Sequence, residues 1–401
     1  MEKIYYEDQY VREFTAEIED IIEKDGKFHV VLDRTAFFPG GGGQSQDKGM
    51  IDVHPVIDVY EEAGVVYHVT EKKPIKIHKV KCVLDWENRF DGMQQHLGQH
   101  VLSGCFFKLF NANTAGIHLG KEVSTIDIIG SIDEKQVRAV EIKANEVIHQ
   151  GMKVEFLWPT KSELKKLGLR RALPNTDEAI RVVKIGDLDI NACCGVHPSD
   201  CRDLQLIKIK KWEKHKNNTT RIEFLAGKRA VEDYFKKDDF VTEICRFLNC
   251  NELEVTNAIN NLTTQLKEAL DENKKLTEKV GSYEVKEILE NAEKIKDITV
   301  VKCLYTNENL KYLSKLASKL VDNEKVIVLF GNKVEDKVNL NFSASKDIKA
   351  VSMNDLLKDA ITLVDGRGGG SALMAQGAGK NVGNAESALD YAFMKIKNTL
   401  A

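Results

Sequence analysis

The chain has 401 residues, 42% hydrophobic and 30% charged, with 58 Lys and Arg against 62 Asp and Glu for a net charge of −4. That length accommodates roughly two to four domains with real cores, and the composition is that of a soluble globular protein. No apolar run approaches membrane length, MEKIYYEDQY at the start is neither a signal nor a transit peptide, and eight cysteines without framework spacing point to a reduced cytoplasm. Net charge does not advertise nucleic-acid binding, so any such contact must use a local basic patch.

Residues 1–90 read as a β-rich segment. KFHVVLDRTAFF, MIDVHPVIDVY and GVVYHVT are short strands punctuated by turns, and they predict a small β-barrel-like N-terminal region. Between the first two stand Gly40, Gly41, Gly42 and Gly43, followed by Gln44. Four glycines invite a phosphate-loop reading, but no G-K-[ST] follows and no long apolar strand precedes them. GGGGQ reads instead as a tight backbone approach or a strained turn facing a nucleic acid or the site, with a mobile loop as the alternative.

A helix is expected after about residue 91. Within it His96 and His100 are four apart, so both imidazoles lie on one side, one turn apart. Met93, Leu97, Val101 and Cys105 form a neighbouring apolar stripe, which puts the pair at the edge of a buried face. Leu97 stands where a zinc protease would carry its catalytic glutamate, so this is not that motif. STIDIIG follows as a strand and DEKQVRAVEIKANEVIHQG as an amphipathic helix. Far downstream, ACCGVHP sets Cys193 and His197 four apart, on a turn marked by glycine and proline. Three imidazoles and a thiolate are a borderline-soft set that suits tetrahedral Zn2+, with Cys194 and Cys201 as competing ligands. Residues 91–226 thus predict an α+β zinc-binding domain, the metal lying where the helix meets the turn.

From 227 to 295 the character changes. Val255, Ile259, Leu262, Leu266, Ala269, Asn273, Leu276 and Val280 alternate spacings of four and three. This is a heptad seam with a polar residue suited to fixing register, and it predicts a helical coiled-coil segment and a homodimer. The alternative is an amphipathic helix packed on its own chain. Residues 296–401 alternate DITVVKCLYT, a helix from about Asn309 to Leu320, KVIVLFGN and VNLNFSAS, then GRGGGSALMAQGAG and a last helix from about Ala385. That pattern is an α/β domain. Its glycine run is either a phosphate-binding loop, with Arg367 and Lys380 adding charge, or a turn that lets the last helix pack tightly.

Five segments in order carry a family resemblance: FFPGGGGQSQDKG, QQHLGQHVLSG, IHLGKEVSTIDI, ACCGVHP and TRIEFLAGKRA. Together they resemble the motifs of the alanyl-tRNA editing proteins, freestanding relatives of the editing domain of alanyl-tRNA synthetase. The family usually has glycine at Cys194, threonine at Val196 and valine at Pro198, and bulkier residues at Ala115 and Gly116, so the fine shape of the pocket departs from the pattern. Residues 296–401 resemble the DHH-associated C-terminal domain of alanyl-tRNA synthetase. No DHH tripeptide occurs, so the metal centre of DHH phosphoesterases is missing.

The resemblance implies a zinc-dependent deacylase of mischarged tRNA(Ala), most of all seryl-tRNA(Ala) and also glycyl-tRNA(Ala). With nothing before the editing-like region to serve as an aminoacylation core, the chain is expected not to charge tRNA. Gln99, Thr114, His118, Ser124 and Thr125 are its expected catalytic or substrate-pocket residues. Gly41, Gly42, Gly43, Gln44, Arg367, Gly368, Gly369, Gly370 and Lys380 are the expected contacts to the acceptor end and elbow of tRNA(Ala). Four protein ligands describe a closed zinc, so either the ion expands to five-coordinate or His197 is loosely held. Two other classes remain: a non-catalytic tRNA-binding module with a structural zinc, and a metal-dependent hydrolase of another ester.

Overall fold

The computed structural model describes residues 1–75, 79–171, 173 and 179–400, and the chain divides into two compact units, Met1–Phe247 and Leu248–Ala401. Both are mixed α and β.

The first unit holds a seven-stranded antiparallel sheet in the order Glu13–Ala16, Val80–Leu84, Gly49–Ile51, His54–Glu62, Val65–Thr70, Lys27–Leu32, Ile18–Lys24. Its two edge strands are consecutive in the chain and separated only by Glu17. Strands lie about 4.8 Å apart, so a flat sheet would hold these edges roughly 29 Å from each other, far beyond one residue's reach. The sheet therefore curls until its edges meet at one corner. No ladder joins them, which makes it an open rolled sheet and not a closed barrel. Inside the roll Val30, Leu32, Phe37, Ile51, Val66, Val80 and Cys82 are fully buried.

Beside it, Trp86–Phe110 is a 25-residue helix. It begins five residues before the expected position, because Asp85 caps it, its side chain accepting from Asn88 N. The apolar stripe puts the histidine pair at the edge of a buried face, whereas residues 93–106 are buried on every side. One flank meets the four-stranded antiparallel sheet Thr114–Leu119, Ser124–Ile129, Thr219–Ala226, Ile207–His215, whose Ile126, Ile128, Ile222 and Phe224 share its core. The helix Glu134–Gln150, with an Asp133 capping box, adds Val137, Val140, Ala144 and Val147. A three-stranded sheet, Val154–Leu157, Val182–Ile185, Asp189–Ala192, ends at the cysteine turn.

A helix buried all round must satisfy its polar side chains. Gln95 does so by pairing with the backbone of Ala226, donating to its O (2.7 Å) and accepting from its N (3.2 Å). Gln94 donates to Asp203 O at 2.6 Å and accepts from Lys228 N. Gly98 is needed here, since a Cβ would lie 2.6 Å from that of Ala226. These bonds fix the helix against the strands and hence fix the imidazoles it carries.

The second unit is built on a six-stranded sheet, Glu293–Ile295, Ile298–Thr306, Val326–Val334, Lys337–Ala344, Met374–Gly379, Arg367–Gly370. Ile298–Thr306 and Val326–Val334 pair in parallel and are connected through the helix Leu310–Val321, which Asn309 caps. The glycine run forms an antiparallel hairpin, Arg367–Gly370 with Met374–Gly379, at the sheet edge. A Cβ at Gly377 or Gly379 would overlap Ile361 Cδ1 or Val364 O, so two of these glycines let a helical turn press on the strand. Arg367, Gly368, Gly369, Gly370 and Lys380 are exposed.

Val255–Asn291 is a single helix of 37 residues in which only Gly281 is buried. Ile259, Leu262, Leu266, Leu276 and Val280 are 49–62% exposed, so most of the apolar seam faces solvent in the single chain. Among the described residues no helix is long and apolar enough to cross a membrane.

Candidate metal centre

The site is assembled from three pieces of chain: the buried helix, the cysteine turn and the glycine-rich loop. On the helix, His96 and His100 are 1% and 5% exposed, with ring centroids 5.3 Å apart. The turn is held by its carbonyls: Arg181 donates to Cys193 O and Gly195 O, and Tyr6 Oη donates to Cys194 O. Cys193 N in turn donates to Arg181 O at 3.0 Å. This brings Cys193 and His197 under the helix.

The donor atoms of His96, His100, Cys193 and His197 all lie within 4.8 Å of one another. Cys193 Sγ is 3.5 Å from His96 Nε2 and 3.3 Å from His197 Nε2. Two ligands about 2.0–2.3 Å from one tetrahedral ion stand roughly 3.3–3.8 Å apart, so these separations fit a shared metal. The outward ring nitrogens fit it too. His100 Nδ1 meets Asp189 Oδ2 at 3.1 Å and His96 Nδ1 meets Gln44 Oε1 at 3.2 Å, whereas His197 Nδ1 is buried without a partner. The three imidazoles thus turn Nε2 inward and are supported to unequal degrees from behind. Cys194 is exposed at the cavity wall and Cys201 is buried in the core, so neither joins the cluster.

Electrostatics favour the thiolate of the cluster and hold a proton on His100 that a metal would have to displace. Burial disfavours the Cys193 thiolate, but His96, His197 and His100 outweigh it and hold the thiol well below its ordinary value. Burial would lower His100, yet its bonds to Asp189 and Cys193 push it up to about 9. His197 is lowered by burial first and His96 second. Behind His100, Asp189 is engaged by Arg170 Nε at 2.7 Å and by Asn191 Nδ2 at 2.7 and 2.8 Å.

A cavity of about 400 Å³ opens on this cluster. His96, His100 and Cys193 line it, and His197 does not. The remaining wall includes Gly42, Gln99, Ile117, Arg170, Arg171, Arg181, Asn191 and Cys194. Of the residues expected in the pocket, Gln99 is on this wall, donating to Ser103 Oγ at 2.8 Å. Thr114 is buried one step behind, its hydroxyl bonded to the same Ser103 Oγ at 2.8 Å. His118 and Thr125 are cross-strand neighbours off the wall, and Ser124 is buried with an unpartnered hydroxyl. Asp189, Arg170 and Arg181 carried no sequence signal, because their roles depend on long-range pairing.

The glycine-rich loop is closed by Phe38 and Asp47, with Asp47 N donating to Phe38 O and Phe38 N to Asp47 Oδ2. Arg89, fully buried on the helix, grips both Asp47 oxygens through Nε at 3.0 and 2.9 Å. At its tip Gly41 and Gln44 exchange backbone hydrogen bonds of 3.0 Å around Gly42 and Gly43, whose φ values are +60° and +88°. Positive φ at both central residues is the type I′ turn, which explains the glycines. They also permit contact: a Cβ at Gly41 would lie 3.1 Å from Cys194 Sγ, and one at Gly42 3.2 Å from His96 Cε1. Gln44 itself is 5% exposed, its side chain turned inward to the cluster.

Comparison with known proteins adds the following. The family "Threonyl and Alanyl tRNA synthetase second additional domain" matches residues 180–223, "tRNA synthetases class II (A)" matches 3–88, and the "DHHA1 domain" matches 296–398. The chain is 32% identical to the alanyl-tRNA editing protein AlaX-L of Pyrococcus horikoshii, over 100% of this chain and 99% of that one. It is 34% identical to the alanyl-tRNA editing protein Aarsd1 of Mus musculus, over 65% of this chain and 67% of the other. Against the alanine–tRNA ligase of Methanobrevibacter smithii the identity is 29%, covering 97% of this chain and 45% of the ligase.

Proposed function

The chain belongs to the alanyl-tRNA editing protein family, and on that premise we propose that it is a zinc-dependent hydrolase that deacylates mischarged tRNA(Ala) in trans. The observation that carries this reading is a four-ligand cluster of which three members face a 400 Å³ cavity. His96, His100, Cys193 and His197 would hold the ion, which supplies a Lewis acid able to orient or polarise the substrate. An aminoacyl ester is already activated and needs no protein nucleophile. The chain's own part is to seat the aminoacyl group against the cluster and to exclude bulk water from it. Arg171, exposed on the cavity lining, suits the phosphate of an acceptor end, while Arg170 is engaged with Asp189.

Seryl-tRNA(Ala) is the substrate we favour, and glycyl-tRNA(Ala) the second. Gln99 is a neutral polar group on the wall, steadied by Ser103 and Thr114. A site that hydrogen-bonds a substrate hydroxyl rejects the analogue lacking it far more strongly than an apolar pocket rejects bulk. The test is deacylation of seryl-, glycyl- and alanyl-tRNA(Ala) with and without a chelator, together with an alanine-charging assay for which no product is expected. One observation favours a second reading. Four protein ligands are the pattern of a structural zinc, and a tRNA-binding module of that kind would deacylate no faster than the free ester hydrolyses.

We further propose tRNA contacts at the exposed edge of the second unit. Replacing Arg367 and Lys380 by Gln should weaken tRNA binding without sequence preference and lower the salt slope by about one per lost phosphate contact. Four functional segments, 1–90, 91–226, 227–295 and 296–401, and a cytoplasmic site of action complete the proposal.

A further inference from the structure

The geometry points to Gln44 as a positioning residue of the metal centre, one that sets which nitrogen of His96 meets the ion and ties the helix to the cysteine turn. This rests on the metal reading above. A single oxygen, Gln44 Oε1, is 3.0 Å from Val196 N and 3.2 Å from His96 Nδ1. Val196 N is a backbone donor and requires an acceptor, which settles that the amide presents its oxygen here and not its nitrogen. The same oxygen can then receive only a donor from the ring, so His96 Nδ1 carries the proton. Nε2 is left as the lone-pair nitrogen, on the side of Cys193 Sγ.

Both lone pairs of the amide oxygen are used, one for each half of the ligand set: His96 from the helix and Val196 from the turn between Cys193 and His197. The tip of the glycine-rich loop brings the amide to this place. Its type I′ turn is anchored by Asp47 and Arg89, and without side chains at Gly41 and Gly42 it lies directly against Cys194 and His96. Outer partners of this kind fix a ligand's tautomer and orientation, and their loss typically costs about 10- to 100-fold in metal affinity. A purely tRNA-facing role for Gln44 would require its side chain to leave a nearly closed site.

The test is zinc affinity by competition with a chromophoric chelator on the full chain. Gln44→Met keeps volume but removes the acceptor, and should bind zinc about 10- to 100-fold more weakly. Gln44→Glu keeps an oxygen for both donors and should stay at wild-type affinity or tighter. A second measurement needs no variant: 15N NMR of the histidine rings in the zinc-loaded wild type should show His96 protonated at Nδ1 and ligating through Nε2. Wild-type affinity in Gln44→Met, equal weakness in Gln44→Glu and Gln44→Met, or His96 ligating through Nδ1 would each overturn the proposal. A wild-type chain that binds no zinc would overturn the metal reading together with it.

Discussion

Gly195→Ala tests the metal centre by steric means alone. Gly195 lies between Cys193 and His197 and is not among the glycines with positive φ, so alanine strains no backbone there. Its Cβ, however, would overlap His96 Cε1 and Nδ1 and come to 3.0 Å from Gln44 Oε1. Carbon atoms rest about 3.5–4.0 Å apart, so the ring or the turn must move by about 1.2–1.7 Å. In the metal-free protein the ring can yield. In the loaded protein it is held by the ion, and the strain is felt in full. Overpacking costs about 1–3 kcal/mol, which at about 1.4 kcal/mol per tenfold weakens metal binding by roughly 5- to 140-fold. Chelator competition measures this, with thermal unfolding of the metal-free form as the comparison. Gly130→Ala is the control: its φ is +102° with no atom within 4 Å of the added Cβ, so it should strain the backbone and leave metal affinity unchanged. A Gly195→Ala protein with wild-type zinc affinity would refute the placement of His96 over the turn.

Three further outcomes are expected. Arg89→Met strands Asp47, 1% exposed, without its partner and should destabilise the first unit by about 3–5 kcal/mol in urea; a loss under about 1 kcal/mol would show that the pair is not buried as described. His68 is wholly buried, donating through Nδ1 to Val30 O and accepting at Nε2 from Thr35 Oγ1, and burial lowers it from 6.5 to about 4. The unfolded chain therefore takes up the proton first as pH falls: this contribution is complete above pH 6.5, declines toward pH 4, and amounts to about 2 kcal/mol lost by pH 5. His68→Gln should flatten that part of the stability–pH curve, and an unchanged slope would count against the buried neutral imidazole. Finally, placing Glu at Leu262, Leu266 and Leu276 should convert a light-scattering dimer into a monomer with the helix retained; a wild-type chain that is already monomeric at high concentration would refute association through this seam.

Local signals were legible in the sequence. The spacing of four in QQHLGQH places two imidazoles on one helical face wherever the helix ends up, and the Gly-Pro turn of ACCGVHP brings the second pair close in space by itself. Strand alternation in GVVYHVT and the period of the helix Glu134–Gln150 depend only on neighbouring residues, and both elements stand where the pattern puts them. The glycines at 40–43 announced a special backbone, and positive φ at all four is what they supply.

Tertiary structure decided the rest, because it depends on pairings across long stretches of chain. The rolled sheet is open and not a barrel because Glu13–Ala16 and Ile18–Lys24 pair with different neighbours, a register no local pattern encodes. Residues 93–106 of the helix Trp86–Phe110 are buried on every side, and Gln94 and Gln95 belong to that core because they find backbone partners more than a hundred residues away. The glycines near 370 read equally as a loop or a turn until an edge hairpin formed beneath Ile361. Gln44 and Asp189 become supports of two histidines only once the loop, the helix and the turn converge. A sequence shows which side chains can bind a metal, whereas the residues that orient those ligands are chosen by proximity in the folded chain.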